Sequence, residues 1–389
     1  MDFYYQLDIW EWVLAAGLFV SAVWLVCFYI RTYAGVAKFS SPVPNDEKKP
    51  VSVVLSGKNQ YEMLKKNLTF WLEQKYPDFE VIVVYENSDE DVAGLLREFA
   101  RRYDKLKLIN ANQSINFFDE QKFSLSIGVK SALNEYVIVS DPRFRPTGEH
   151  CIDYMQAAFT PKTKVVIGHP VHTEKKGGLC SFLNYRIVET AMQYVGFAVK
   201  GKPFAGHRAL IAYRKSFFLE NQGYSDIYAL NTGMFDRILP HIGKREEASV
   251  QLAPDAEVRY TGVFGLNSVL KHERQYLNTL YSEHSPAKGE IKAYRMLIPF
   301  FYLFMAAGAA YFCYRFLNGQ YPQFPLWFVV FAGIVLIKFV LQSIFMQRAA
   351  NVLRAGPLWL CLPLYAILYL PLQLVLAFGK QRGRRRLGL

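Results

Sequence analysis

The stretch VSVVLSGKNQYEMLKKNLTFWLEQKYPDFEVIVVYE, residues 51–86, decides the fold. It begins and ends with short apolar runs, VSVVLS (51–56) and FEVIVVYE (79–86), which are typical of buried strands in length and in β-branched content. Between them, YEMLKKNLTFWLEQ (61–74) places apolar side chains at helical spacing. The stretch therefore predicts a strand, a helix and a second strand, which together are the repeating unit of a parallel sheet.

The same alternation continues along the chain. Helices are predicted at DVAGLLREFARRY (91–103) and EQKFSLSIGVKSAL (120–133), and strands at KLKLIN (105–110) and EYVIVSD (135–141). We therefore expect an α/β fold with a mostly parallel sheet and helices on both faces. Residues 142–294 have a less regular pattern, and shorter helices and strands are expected there.

Polar side chains stand where three of the predicted strands end. Ser56, Glu86 and Asp141 each close a strand, and Asn59 follows the first strand in a turn. Ligands of open α/β sheets bind at the carboxyl ends of the strands, so these residues predict a binding crevice. Ordinary solvation of loop residues is the alternative.

A long apolar segment precedes this region. IWEWVLAAGLFVSAVWLVCFYI, residues 9–30, is long enough to span the bilayer core. Acidic residues precede it, whereas Arg31 and Lys38 follow it, so we expect a retained anchor with its N-terminus outside. Residues 36–50 contain three prolines and are interpreted as a linker.

Three more apolar segments lie near the C-terminus. Residues 296–314 and 325–346 are predicted to span the membrane. Pro363 and Pro371 interrupt 357–378, and the basic tail KQRGRRRLGL follows it. If all four apolar segments crossed, this tail would lie outside, against the positive-inside rule. We therefore expect 357–378 to be re-entrant or interfacial, with a kinked full crossing as the alternative.

These segments predict a multi-pass protein of the inner (cytoplasmic) membrane. The predicted domains are an anchor at 1–35, a cytoplasmic domain at 36–294 and a membrane region at 295–389. The net charge is +12, but no basic stripe with interleaved aromatic residues is visible, so nucleic acid is not an expected partner. The excess charge favours an anionic membrane face or an anionic substrate. The five cysteines are scattered without a CxxC pair, which argues against a disulfide framework and a zinc site.

Several segments together resemble family 2 glycosyltransferases of the GT-A fold. Those proteins begin with a strand and an "ARNE"-like turn, then a helix, a "QxYPxxEVIVV" segment and an acidic turn, which here correspond to residues 51–91. EQKFSLSIGVKSALNEYVIVSDPRFRP (120–146) is similar to their next segment. AYRKSFFLENQGY (212–224) resembles a stretch of membrane-anchored bacterial members.

The resemblance implies transfer of a sugar from a nucleotide-sugar, with UDP-sugars favoured, to an envelope glycan or a lipid-linked acceptor. In this role Ser56 lies in the donor site, Asn59 and Glu86 hydrogen-bond the base and ribose, and Lys122 contacts phosphate. The expected partners are the nucleotide-sugar, the lipid bilayer and other proteins of envelope biosynthesis.

The sequence departs from the family at the motifs that carry chemistry. The family's DxD, which holds Mg²⁺ or Mn²⁺, corresponds to Asp141-Pro142-Arg143. A second acid is replaced by a cation, so no metal cofactor is expected, and Asp141 would be its ligand if one bound. The family's QxxRW motif corresponds to KHERQ (271–275), in which Lys271 and Arg274 are candidate diphosphate ligands.

The acidic turn that supplies the family's general base is also altered. Its match is TGMFDRI (232–238), in which Asp236 is the remaining candidate base. Two hypotheses follow. Arg143, Lys271 and Arg274 would neutralise the diphosphate without a metal in an active transferase. Alternatively, the chain is an inactive pseudo-glycosyltransferase that acts as a scaffold or regulatory subunit in envelope-polysaccharide assembly.

Overall fold

The computed structural model describes most of the chain and separates it into two compact units. The larger unit comprises residues 38–287 and 352–355, and the smaller one comprises residues 1–37, 288–351 and 356–389. Residues outside the description are 1–7, 57–59, 86–89, 112–119, 172–177, 224–237, 240, 241, 243, 263, 264, 282–284, 321–325, 357–363, 372 and 374–389, together with the side chains of 120–122 and 178–180.

The larger unit is built on a seven-stranded sheet. Its strands lie in the order β3-β2-β1-β4-β8-β6-β9. The first four run parallel, β8 runs antiparallel to β4 and β6, and β9 is parallel to β6. The strands are β1 (Val51–Ser56), β2 (Phe79–Tyr85), β3 (Leu106–Asn110), β4 (Tyr136–Ser140), β6 (Val165–Ile167), β8 (Ile211–Arg214) and β9 (Ala248–Val250).

Helices connect the parallel strands, as the sequence predicts. They are α3 (Tyr61–Leu72), α4 (Glu90–Arg102) and α5 (Glu120–Ser131). All six residues of β1 are buried, as expected for a central strand that is covered on both faces. Trp71 of α3 is fully buried in the core on one face, and Gly128 of α5 allows close approach to Val54 on the other. The expected mostly parallel sheet with helices on both faces is confirmed.

A second sheet follows the parallel strands. It has the order β5-β10-β7, with β5 at Phe144–Pro146, β7 at Pro170–Val171 and β10 at Val258–Tyr260. β10 is antiparallel to β5 and parallel to β7. This sheet pairs the chain just after β4 with a segment more than a hundred residues further on. It forms one side of the candidate site.

The expectation of shorter helices and strands in residues 142–294 holds for the described strands but is wrong for two helices. Besides α6 (Cys151–Ala157) and α8 (Lys215–Glu220), this region contains α7 (Gly178–Val199) and α9 (Leu266–Leu280). α7 has 22 residues and buries polar as well as apolar side chains, including Arg186, Glu189 and Gln193. Buried polar positions obscure the apolar stripe by which an amphipathic helix is recognised.

The smaller unit is helical. α1 (Ile9–Phe28) continues through a π-helical turn (Tyr29–Tyr33) into α2 (Ala34–Ala37), and α10 (Lys288–Leu317) and α11 (Leu326–Val352) follow later. Three helices, Ile9–Ala37, Lys288–Leu317 and Leu326–Val352, are long and apolar enough to cross a membrane. α1 and α10 lie antiparallel, since Tyr311 donates a hydrogen bond to Asp8 at one end and Phe28 stacks on Tyr294 at the other.

The last apolar segment, 357–378, is described only in part. Residues 364–371 and residue 373 are helical. Residues 357–363 and the basic tail lie outside the described residues, so whether this segment crosses the membrane stays a prediction.

Candidate functional site

A tight turn connects β4 to β5 at the carboxyl edge of the parallel strands. The Phe144 amide donates a hydrogen bond to the Asp141 carbonyl over 2.9 Å, which closes a four-residue β-turn. Pro142 occupies the second position of this turn, where its fixed φ angle is favourable. The strand therefore ends at Ser140, and Arg143 lies in the turn rather than in a continued strand.

Arg143 nevertheless points back to Asp141. Its Nε donates to Asp141 Oδ1 over 2.8 Å, and its Nη2 donates to Oδ2 over 2.6 Å. The Arg143 amide also donates to Oδ1 over 2.9 Å. The Asp141 side chain is only 3% exposed, whereas that of Arg143 is 27% exposed. Both carboxylate oxygens are thus engaged by one guanidinium, part of which is accessible to solvent.

Burial alone would lower the pKa of Arg143, but the hydrogen bonds and the charge of Asp141 outweigh burial and raise it. Arg143 is therefore a permanent cation. The half-buried Tyr260 of β10 lies beside the pair, and burial raises the pKa of its hydroxyl, so it stays protonated at neutral pH.

Neighbouring side chains hold the backbone of the turn. Asn67 of α3 donates to the Pro142 carbonyl and to the Thr261 hydroxyl, both over 2.7 Å. The Thr261 hydroxyl and amide both donate to the Arg143 carbonyl over 2.9 Å. Trp71 Nε1 donates to the Phe144 carbonyl over 3.3 Å. α3 and the chain after β10 therefore hold the backbone of the turn, while Asp141 holds the guanidinium of Arg143.

Ser56 lies next to this turn. Leu55 is paired with Ser140 across β1 and β4, so Ser56 stands beside Asp141 at the same edge of the sheet. The predictions for Asn59, Glu86 and Asp236 fall outside the described residues. Lys122 lies in the first turn of α5, but its side chain is also outside the description.

The remaining candidate ligands lie on α9. Lys271 and Arg274 are one helical turn apart on its exposed face. His272, Glu273 and Tyr276 point inward. The two cations therefore share a solvent-facing surface of α9, and their convergence with Arg143 on one ligand stays a prediction.

The sequence analysis missed two buried histidines behind the turn. The His207 ring lies 5.6 Å from the ring of Phe144 and 5.9 Å from the ring of His272. Burial, followed by the charge of Arg186, lowers the pKa of His272 to about 3, so this ring is neutral. The position of His272 within the KHERQ segment was the only signal for it in the sequence. Its contact with His207 could not be predicted, because the two residues lie far apart along the chain.

A buried ionic cluster fixes α9 against α7. Arg186 donates to Glu273 Oε1 from Nε over 3.0 Å and from Nη2 over 2.7 Å, and its Nη1 is paired with Glu189. All three side chains are almost completely buried. Because a buried charge must be paired, the cluster sets the rotation of α9 and thereby which residues face solvent.

The described residues do not fit a divalent-metal site. Mg²⁺ and Mn²⁺ require several oxygen ligands. Both oxygens of Asp141 are engaged by Arg143, and the described part of the chain contains no group of three or more His, Cys, Asp or Glu residues able to hold a metal.

The four parallel strands, the antiparallel return of β8 and the turn after β4 define the class of fold, which is the GT-A fold. Comparison with family models points the same way. Residues 52–218 match the model described as "Glycosyl transferase family 2".

One solved structure agrees with the fold. The mannosyltransferase PcManGT from Pyrobaculum calidifontis, in complex with GDP-Man and Mn²⁺, has a TM-score of 0.56 and 14% identity, covering 89% of this chain and 99% of that chain. The structure of S. aureus TarS 1-349 in complex with UDP-GlcNAc is a weaker match, with a TM-score of 0.40 and 14% identity over 81% of this chain and 91% of that chain. The curated proteins contain no significant match.

Proposed function

We propose that the chain is a membrane-bound glycosyltransferase that binds a nucleoside-diphosphate sugar at the carboxyl ends of β1, β2 and β4 and transfers its sugar without a divalent metal. The observation that carries this proposal is the double hydrogen bond between Arg143 and Asp141 at the place of the family's metal-binding motif. Arg143 takes the position and charge of the metal, and Asp141 orients its guanidinium.

The donor inventory of Arg143 supports this role. A guanidinium carries five N–H donors, and Asp141 engages two of them through Nε and Nη2, which leaves about three for a ligand. Arginine suits a diphosphate because its planar donors match phosphate oxygens in pairs. The partial exposure of the side chain makes these donors accessible.

The chemistry requires a cation at this point. Negative charge grows on the leaving diphosphate as the glycosidic bond breaks, and a preorganised cation stabilises that charge. Ser56, Asn59 and Glu86 would hold the nucleoside, while Lys122, Lys271 and Arg274 would add positive charge around the phosphates. Asp236 would accept the proton of the acceptor hydroxyl.

The proposed location follows from charge and apolar segments. The three candidate membrane helices support membrane association. The cations after the first span and in the C-terminal tail favour a cytoplasmic position for the transferase domain, where nucleotide-sugars are available. The acceptor would then be an envelope glycan or a lipid-linked molecule presented at the membrane.

A scaffold role is the second candidate, and one feature of the sequence favours it. Met234 and Phe235 stand where the family's acidic turn has acids. A domain without a general base would retain the fold, and it could organise other proteins of envelope-polysaccharide assembly without transferring sugar.

The discriminating experiment uses the full chain in detergent with a panel of UDP- and GDP-sugars, with EDTA or Mn²⁺. We expect release of the nucleoside diphosphate in EDTA from at least one donor, and loss of release in Asp236→Asn. Asp255→Asn, at an acid in the loop before β10, is the matched control and should retain activity. Binding without release from any donor would favour the scaffold, and the absence of both would contradict the donor site.

A further inference from the structure

The smaller unit contains an apolar groove on the surface of its helices. The groove has a volume of about 370 Å³ and is lined by side chains of α1, among them Phe19, Val23, Trp24 and Cys27. Arg31 lines it as well, and Glu290 of α10 completes the lining. Phe19 and Val23 are about half exposed, so the groove is open at the surface of a candidate membrane span.

The length of the groove matches one leaflet of a bilayer. Phe19 and Arg31 are twelve residues apart on a nearly continuous helix, which corresponds to about 18 Å at 1.5 Å per residue. Half of the hydrocarbon core of a bilayer is about 15 Å thick. When Arg31 lies at the level of the headgroups, Phe19 therefore lies near the midplane.

Charge distinguishes the two ends of the α1–α10 pair. At the Arg31 end, the first turns of α10 bring Lys288, Lys292 and Arg295 together with Glu290. At the opposite end, Asp8 and Glu11 face Arg315. Cations thus outnumber acids where the groove reaches the headgroup level, and anionic headgroups are attracted to such a surface.

We propose that this groove is a binding site for one anionic phospholipid. Its acyl chain lies along Phe19, Val23 and Cys27, and its phosphate pairs with the guanidinium of Arg31. The apolar lining selects a hydrocarbon chain, whereas the cation at the end of the groove selects the headgroup. The site is independent of sugar transfer, and it applies equally to an enzyme and to a scaffold.

Cys27 provides a built-in reporter for occupancy. It lines the groove and is exposed, and Cys313 on α10 is exposed outside the groove lining. The full chain in detergent is titrated with phosphatidylglycerol or phosphatidylcholine, and N-ethylmaleimide modification of each cysteine is followed by peptide mass spectrometry. We expect phosphatidylglycerol to slow modification of Cys27 at a concentration about fivefold lower than phosphatidylcholine requires. A preference of this size is what one cation near an anionic headgroup contributes. Cys313 should show no such preference.

Matched variants assign the preference to one side chain. Arg31→Gln should abolish the difference between the two lipids, whereas Arg31→Lys should retain it. Arg31→Lys keeps the proposal testable if the neutral variant fails to fold. Equal protection by both lipids in the wild type would overturn the proposal, as would an unchanged preference in a folded Arg31→Gln variant. Protection by a polyprenyl monophosphate but not by phosphatidylglycerol would overturn it too, because the occupant would then be a lipid-linked acceptor.

Discussion

Replacing Arg143 by glutamine tests the pairing at the centre of the candidate site. The substitution removes two charge-assisted hydrogen bonds, at 2.8 and 2.6 Å, from a carboxylate that is 3% exposed. Loss of one partner of a fully buried ion pair costs about 3–5 kcal/mol. Since the Arg143 side chain is 27% exposed and the carboxylate keeps the amide of residue 143, we expect a smaller loss, about 2–3 kcal/mol in the free energy of unfolding.

Thermal unfolding of the full chain in detergent measures this loss. For a unit of this size, about 2–3 kcal/mol corresponds to a decrease of roughly 5–10 °C in Tm. Arg145→Gln is the matched control, since Arg145 lies two residues further on and stacks over Phe70. It should lower Tm by no more than about 3 °C, in line with a cation–π contact of about 1 kcal/mol.

A double-mutant cycle then isolates the interaction. Asp141→Asn combined with Arg143→Gln should be more stable than the sum of the two single changes predicts, with a coupling of about 2 kcal/mol. A coupling below about 0.5 kcal/mol, within the error expected for independent sites, would refute the pairing.

Three further predictions concern other parts of the molecule. Burial alone would raise the pKa of Glu80, but hydrogen bonds from Lys107 and Ser52 outweigh it and lower the pKa below its usual 4.5. The stability that Glu80 contributes is therefore present above pH 4.5 and lost as the pH falls through the lowered pKa. Glu80→Gln should reduce Tm at pH 7, and it should make Tm depend less on pH below 4.5. Glu86→Ala should weaken UDP binding by about 1–3 kcal/mol in calorimetry, and equal affinity for UDP, GDP and phosphate would contradict a base-reading pocket. A cysteine inserted after Gly388 should resist an impermeant thiol reagent added outside intact cells, and its labelling would contradict a cytoplasmic tail.

The first half of the domain was predictable because its signals are local. β1, β2 and β4 are short apolar runs, and the intervening helices have clear helical spacing, so their bounds agree with the sequence to within about two residues. α7 was not predictable from its pattern because Arg186 and Glu189 occupy buried positions on a helix. Their burial becomes favourable only through Glu273, which lies on another helix far along the chain.

The sequence predicted which residues form the candidate site, but not the contacts that hold them in place. Asp141, Pro142 and Arg143 marked the departure from the family's motif, and an Asp–Pro pair is itself a turn signal. The contacts of Asn67 and Thr261 with this turn, however, join three distant segments. No local pattern carries that information, and the same holds for the pair His207 and His272.

Calorimetry of UDP binding to the wild-type chain, in EDTA and in Mn²⁺, tests the central claim most directly. If Arg143 replaces the metal, UDP should bind in EDTA, and Mn²⁺ should change its affinity by less than about twofold, or about 0.4 kcal/mol. Arg143→Asp, which restores the spacing of two acids, should bind UDP more tightly with Mn²⁺ than in EDTA. Binding of UDP to the wild type only in the presence of Mn²⁺ would contradict the account.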